Sequence, residues 1–259
     1  MTIPPFTLNA FRMTSNVAAM TTFLTALGFR LEVSSLQGVG GAPAYVVLRG
    51  RSGRVTLHHS EDPTAAGSTQ VTVDTDDLDG AVVALTAAGY PATSWDEAFG
   101  RAAKAATLRG PLWIASTGPD DNDYGYQRHQ VVTPGHVDVE LALASTDVRG
   151  DRDLLVGLGA RVVTLGDAYC CLAFPGGGYV GLSVGQPATE PDLDGGWAAE
   201  LGLATSESGE AVLAHLRAAG CAAEIADAGY GPIVRTTDPD GQTVAITLQT
   251  RGDGGGAAG

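Results

Sequence analysis

The sequence predicts an α+β protein built from four repeated modules, each containing one strand, one helix and three further strands. The first observation is that four amphipathic helical segments each stop at a glycine, namely Gly28, Gly89, Gly159 and Gly220. The second is the spacing of these glycines, which is 61, 70 and 61 residues. The equal outer spacings indicate two halves related by an offset of 131 residues.

The helices are predicted from their periodicity and from the residues at their ends. In the segment Val17 to Leu27, apolar side chains recur at helical spacing along one face. Gly28 follows, and glycine readily adopts the positive φ that ends many helices. The same pattern predicts helices at Leu78 to Ala88, Val148 to Leu158 and Gly209 to Ala219.

The offset of 131 residues also relates positions outside the helices. It aligns residues of the first half with similar ones of the second: Asp96 with Asp227, Phe99 with Tyr230, Gly100 with Gly231 and Gly110 with Gly241. Shared composition alone does not explain such a register. We interpret the two halves as the product of a duplication.

Short alternating segments after each helix predict three strands per module, and a polar, turn-rich stretch separates the halves. This stretch begins at Thr117 and continues to Gly135. We predict a first domain at residues 1–118 (modules one and two), a linker at 119–134 and a second domain at 135–250 (modules three and four). Residues 251–259 are rich in glycine and are predicted to form a flexible tail.

Composition narrows the range of partners. The chain has 259 residues, a hydrophobic content of 44% and a net charge of −14. Lys104 is the single lysine, so the sequence predicts neither a nucleic-acid surface nor attraction to an anionic membrane. Three cysteines without metal or disulfide spacing, and the lack of a targeting segment, predict a cytoplasmic protein. A monomer or a homodimer is expected.

Three motifs resemble the vicinal oxygen chelate superfamily, which includes glyoxalase I, bleomycin-binding resistance proteins and extradiol dioxygenases. They are the opening from Asn9 to Arg30, the stretch VTVDTDDLDGAVVALTAAG from Val71 to Gly89, and the DPDG turn from Asp238 to Gly241. The resemblance implies two glyoxalase/bleomycin-resistance-like domains, whose curled mixed sheets enclose clefts. Because such a fold supports many chemistries, its sites need separate evidence.

In metal-using members, the resemblance implies ligands in the first and fourth strands of a module. The first-strand positions here are Asn9, Gln70, Glu140, and either Glu200 or Leu201. The fourth-strand positions in modules two and four are Ile114 and Ala245, which offer no side-chain donor. We therefore predict no metal cofactor; a divalent ion near His58 and Gln70 is the disfavoured alternative.

The candidate ligand-binding residues are aromatic or polar side chains near the predicted clefts: Gln70, Trp95, Phe99, Trp113, Tyr126, Glu140, Trp197, Glu200 and Tyr230. Aromatic faces suit the stacking of flat ligands. Glu140 and His58 are the candidate catalytic residues, and Glu140 is a candidate counter-ion for a cation. For each residue, core packing or a solvent-facing position is the competing interpretation.

The preferred hypothesis is a metal-independent binding protein that sequesters an antibiotic or another natural product. Its ligand is expected to be a small organic molecule of cationic or aromatic character. The alternative is an enzyme of the superfamily: a metal-dependent lyase or dioxygenase, or a metal-free isomerase or cyclase. A scaffold whose clefts are filled by side chains is the third hypothesis.

Overall fold

The computed structural model describes residues 2–97, 100–117, 125–131, 133, 135–166, 168–186, 195–229 and 231–249. Two predicted site residues, Phe99 and Tyr230, lie outside the described residues. The predicted tail at residues 251–259 lies outside them too, as does part of the predicted linker.

Within its described residues, the first half contains two helices and eleven strands. The helices are α1 (Val17–Ala26) and α2 (Leu78–Ala87). The strands are β1 (Thr7–Thr14), β2 (Arg30–Ser35), β3 (Gly38–Val39), β4 (Ala42–Pro43), β5 (Tyr45–Arg49), β6 (Arg54–His59), β7 (Thr69–Thr75), β8 (Ala92–Glu97), β9 (Gly100–Thr107), β10 (Gly110–Ser116) and β11 (Tyr126–Arg128).

The second half repeats this order with fewer short strands. Its helices are α3 (Val148–Gly157) and α4 (Gly209–Ala218). Its strands are β12 (Val137–Ser145), β13 (Arg161–Leu165), β14 (Tyr169–Ala173), β15 (Tyr179–Val184), β16 (Trp197–Ala198), β17 (Glu200–Thr205), β18 (Ala223–Asp227), β19 (Pro232–Thr237) and β20 (Thr243–Leu248).

All four helices begin and end as the sequence pattern predicts. The N-cap side chains of Asn16, Asp77, Asp147 and Ser208 each accept a hydrogen bond from a backbone N–H of the first turn. The glycine after each helix has a positive φ, between 77° and 98°. Local chemistry therefore defines the helix boundaries.

The described strands form two large curled mixed sheets, one for each half, with β16 of the second half joining the first, and a small sheet of β3 and β4. The first sheet has the order β11-β2-β5-β6-β1-β7-β10-β9-β8, and the second has the order β13-β14-β15-β12-β17-β20-β19-β18. In both, the first strands of the two modules pair antiparallel at the centre of the sheet. This architecture confirms the predicted α+β fold with curled mixed sheets. The domain boundaries themselves stay a prediction.

Strand pairing resolves the register that the sequence left open in module four. Asn9 pairs with Thr72 in the first sheet, and Glu140 pairs with Gly202 in the second. Glu200 is therefore the counterpart of Gln70, and the loop between β17 and α4 contains one extra residue. Of the two predicted positions, Glu200 and Leu201, the strand register therefore selects Glu200.

Polar contacts join the two halves. Arg12 forms a buried salt bridge with Asp238 of the DPDG turn, and Ser15 donates to Asp240 of the same turn, with its hydroxyl 3.0 Å from the carboxylate. Arg51 pairs with Asp138. The turn that the motif predicted thus also holds the halves together. Within the described residues, no helix is long and apolar enough to cross a membrane.

Candidate functional site

A cavity of about 300 Å³ lies on the concave face of the first sheet. Alternation along β1, β6, β7 and β10 directs every second side chain towards it. Its lining consists of aromatic and apolar side chains with a few polar groups: Asn9, Phe11, Met13, Tyr45, Thr56, His58, Gln70, Thr72, Glu97, Ala102, Trp113, Ile114 and Ala115. This composition is typical of a site for a small organic molecule.

Aromatic rings form two walls of the cavity. On one wall, Phe11 stacks on His58 with ring centroids 5.9 Å apart, and Tyr45 meets His58 edge to face at 6.2 Å. On the other, Trp95 lies edge to face behind Trp113 at 5.4 Å. Such pairs hold the rings in fixed orientations, so both walls are preformed.

Three buried polar atoms of the lining have no hydrogen-bond partner among the described residues. They are Asn9 Oδ1, Gln70 Nε2 and Trp113 Nε1. The Asn9 amide nitrogen donates to Thr56 Oγ1 at 2.9 Å and to Asp74 Oδ1 at 3.1 Å, which leaves its oxygen as an acceptor. Unpartnered buried polar groups cost free energy, so they indicate atoms that a ligand or water satisfies.

A buried charge network lies beside the cavity. Arg54 bridges Glu32 and Asp74, with nitrogen to oxygen distances of 2.8 and 3.2 Å. Burial raises the pKa of Asp74, and the charge of Arg54 and the hydrogen bond from Asn9 oppose that shift. Burial also disfavours the Glu32 carboxylate, but Arg54 and Arg49 outweigh it and lower the pKa of Glu32. Through the hydrogen bond from Asn9 to Asp74, the network holds the Asn9 side chain in position.

The second half packs against β7, one of the strands that line this cavity. The short strand β16 pairs with β7, so that Ala198 lies beside Gln70 and Trp197 beside Val71. A β-carbon on Gly196 would lie only 1.5 Å from Gln70 Nε2. Glycine is therefore required there for the observed position of the Gln70 amide. The position of one lining side chain, Gln70, thus depends on a residue of the second half.

The cleft of the second sheet has small side chains where the first has rings. From the strand registers, Phe11 corresponds to Ala142, His58 to Ser183 and Trp113 to Ala245. Glu140 is the counterpart of Asn9. Burial and the nearby Asp138 raise the pKa of Glu140, against hydrogen bonds from Thr247 and Tyr169.

Cys171 lies close to Glu140 in the same cleft. Burial, together with the charge of Glu140, raises the pKa of Cys171 to about 11. A thiol of this kind stays protonated at neutral pH and is a weak nucleophile. The second cleft thus holds a carboxyl group among small or neutral neighbours.

The structure brings together only some of the predicted site residues. His58, Gln70 and Trp113 line the cavity, whereas Trp95 lies behind Trp113. Tyr126 lines a smaller adjoining cavity of about 60 Å³. Glu140 and Glu200 belong to the second sheet, away from these residues.

Trp197 is 2% exposed and packs in the hydrophobic core, where its indole N–H donates to the Gly110 carbonyl at 3.2 Å. It is not on the cavity lining. Its position follows from the insertion of β16 against β7, which the sequence does not signal.

Several lining residues were missed by the sequence analysis. Phe11, Tyr45 and Glu97 all face the cavity, as do Thr56 and Thr72. For Phe11 a signal existed, since it lies two residues after Asn9 in the same strand. In the fourth strand of module two, Trp113 is the residue in register with Ala245, while the predicted position, Ile114, belongs to the buried core and also lines the cavity.

Comparison with solved structures identifies the fold. A catechol 2,3-dioxygenase matches with a TM-score of 0.57 and 15% identity, covering 96% of this chain and 88% of its own. Homoprotocatechuate 2,3-dioxygenase from Arthrobacter globiformis matches with a TM-score of 0.58 and 13% identity, covering 95% of this chain and 80% of its own. The Mn(II)-bound glyoxalase from Novosphingobium aromaticivorans matches with a TM-score of 0.54 and 13% identity, covering 95% of this chain and 82% of its own. No family model and no curated protein matches the sequence.

The chain therefore has the fold of the vicinal oxygen chelate superfamily, which confirms the resemblance found in its motifs. The comparisons contradict the prediction of a protein without a metal cofactor, because the similar structures include extradiol dioxygenases and a glyoxalase with bound Mn(II). The described part of this chain contains no group of three His, Cys, Asp or Glu side chains able to hold an ion. The donors around the cavity therefore do not fit such a site.

Proposed function

We propose that this protein binds a small organic molecule with a flat aromatic part in the cavity of its first half. The observation that carries the proposal is the combination of two preformed aromatic walls with buried, unpartnered polar atoms. The walls favour a flat ligand, and Asn9 Oδ1, which has no hydrogen-bond partner among the described residues, offers an acceptor for its polar edge.

Sequestration of an antibiotic or another natural product is the narrower form of this proposal. Turnover of the bound molecule is the second candidate, which the likeness to dioxygenases and a glyoxalase over at least 95% of the chain favours. Both candidates require the same cavity. They differ in whether the ligand leaves unchanged.

The proposal is tested by a thermal-shift screen of flat aromatic compounds, performed with and without added Mn²⁺. Compounds that raise the melting temperature are then titrated while tryptophan fluorescence is recorded. Trp113→Ala removes one wall of the cavity and should weaken binding about 5- to 150-fold, since base-sized rings lose about 1–3 kcal/mol of stacking energy.

The matched control is Tyr169→Ala, which removes a ring from the second cleft and should leave binding unchanged. A ligand that depends on Tyr169 and is indifferent to Trp113 would contradict the proposal. Mass spectrometry of the ligand after incubation separates the two candidates, because sequestration returns it intact and catalysis does not.

A further inference from the structure

We propose that the ligand of the first-half cavity carries a positive charge, which Glu97 and the surrounding aromatic rings bind. This inference rests on the proposed function and adds the charge of the ligand to it. It depends on three features of the cavity: one carboxylate, the faces of the rings, and an unpartnered carbonyl oxygen.

Glu97 lines the cavity from the end of β8. Its carboxylate accepts a hydrogen bond from the indole N–H of Trp95, two residues earlier on the same face of the strand. The nearby Arg101 pairs with Asp79 and Asp96. In the part of the chain that the structure describes, no ion pair neutralises Glu97, so its charge is available to a ligand.

The rings around Glu97 suit a cation as well as a flat molecule. A cation near the face of a tryptophan or another aromatic ring is attracted by the ring's quadrupole. Trp113 already makes this interaction, because the ammonium of Lys104 lies 4.8 Å from its ring centroid. An organic cation between the two aromatic walls would gain the same interaction from inside the cavity.

The buried acceptor of the cavity, Asn9 Oδ1, suits a cation that has N–H donors on or next to its charged group. Asn9 Oδ1 is a buried acceptor without a partner among the described residues, and Asn9 is 5% exposed. Its position is fixed, because its amide nitrogen is bound by Thr56 and Asp74. The net charge of −14 also attracts cations from solution.

Three probes of similar shape test the inference on the full chain. They are 1-methylquinolinium, its uncharged analogue 1-methylnaphthalene, and the anion 1-naphthoate, each titrated by tryptophan fluorescence. We expect the cation to bind at least tenfold more tightly than the uncharged analogue, and the anion to bind most weakly. Raising the salt concentration should weaken binding of the cation and leave that of 1-methylnaphthalene unchanged.

Glu97→Gln keeps the shape of the side chain and removes its charge, so it should abolish the preference for the cation. Asp96→Asn is the matched control, because it removes the same charge one residue away on the opposite face of β8 and should leave the preference intact. Equal affinity of the unmodified protein for the cation and for 1-methylnaphthalene overturns the inference and leaves the proposed function standing. Binding of none of the three probes overturns both.

Discussion

The two halves of this chain share one strand order but present different side chains on their concave faces. In the first half, Phe11, His58 and Trp113 form the walls of a cavity. In the second, the corresponding residues are Ala142, Ser183 and Ala245. The backbone therefore supplies a cleft twice, and the side chains at a few inward positions decide which cleft has ligand-binding walls.

The charged groups of the two clefts differ in the same way. The first half places Asp74 in a network with Arg54 and Asn9. The second half has Ala204 at the position of Asp74, and its Glu140 is held by hydroxyl groups. The charged groups beside the first cleft are thus paired with one another. In the second cleft, hydrogen bonds from hydroxyl groups compensate only part of the cost of burying the Glu140 carboxylate.

The largest change in stability is expected from Asp74→Ala. This substitution places in the first half the alanine that the second half has at the corresponding position, Ala204. It leaves the buried Arg54 with one partner fewer, and removing one member of a buried ion pair costs about 3–5 kcal/mol. Urea unfolding should show a loss of about 3 kcal/mol in the free energy of unfolding. Asp79→Ala breaks the exposed pair with Arg101 and serves as the control, with little change expected. A loss for Asp74→Ala as small as that for Asp79→Ala would mean that the network contributes nothing.

A smaller effect is expected from Gly196→Ala, which tests whether the second half shapes the first cavity. The new β-carbon would lie 1.5 Å from Gln70 Nε2, so the Gln70 side chain must move. We expect the affinity for an aromatic ligand such as 1-methylquinolinium to fall about tenfold, equivalent to about 1.4 kcal/mol. Gly125→Ala is the control, because no atom lies within 4 Å of its added carbon. Unchanged affinity in Gly196→Ala would show that the contact between Gly196 and Gln70 does not affect the site.

The smallest effect concerns Glu140 in the second cleft. Burial raises the pKa of Glu140 in the folded state, so at a pH above that pKa the ionised carboxylate destabilises the fold. This destabilisation disappears as the pH falls below the pKa of the carboxyl group in the unfolded chain. Glu140→Gln should therefore raise the melting temperature by about 2 °C at neutral pH and by nothing near pH 3. Glu200→Gln, on the exposed part of β17, should change neither. A lower melting temperature for Glu140→Gln at neutral pH would contradict the assigned cause.

The same variant has a second measurable consequence at Cys171. Removing the charge of Glu140 should lower the pKa of Cys171 from its value of about 11. The pH dependence of alkylation by iodoacetamide reports this shift in a protein that also carries Cys170→Ala and Cys221→Ala. Ligand binding in the first cavity should be unaffected by Glu140→Gln, since the two clefts are separate.

The sequence by itself determined the repeat, the helix boundaries and the fold class. These features depend on neighbours along the chain: caps such as Asp77 and Asp147, glycines after helices, and alternation within strands. His58, Gln70 and Trp113 were also identified as candidates, because the family resemblance implied that their strands lie beside a cleft. Local interactions are encoded within a few residues, so they can be predicted without the fold.

Only the tertiary structure decided which residues meet at the site. Glu97 and Tyr45 lie on different strands from Gln70, and their convergence depends on the order and curl of the whole sheet. Only the strand pairing decided between Glu200 and Leu201 in module four, and only the pairing of β16 with β7 placed Trp197 in the core. Strand register is set by pairing with distant strands, and shifting it by one residue turns a side chain to the opposite face of the sheet.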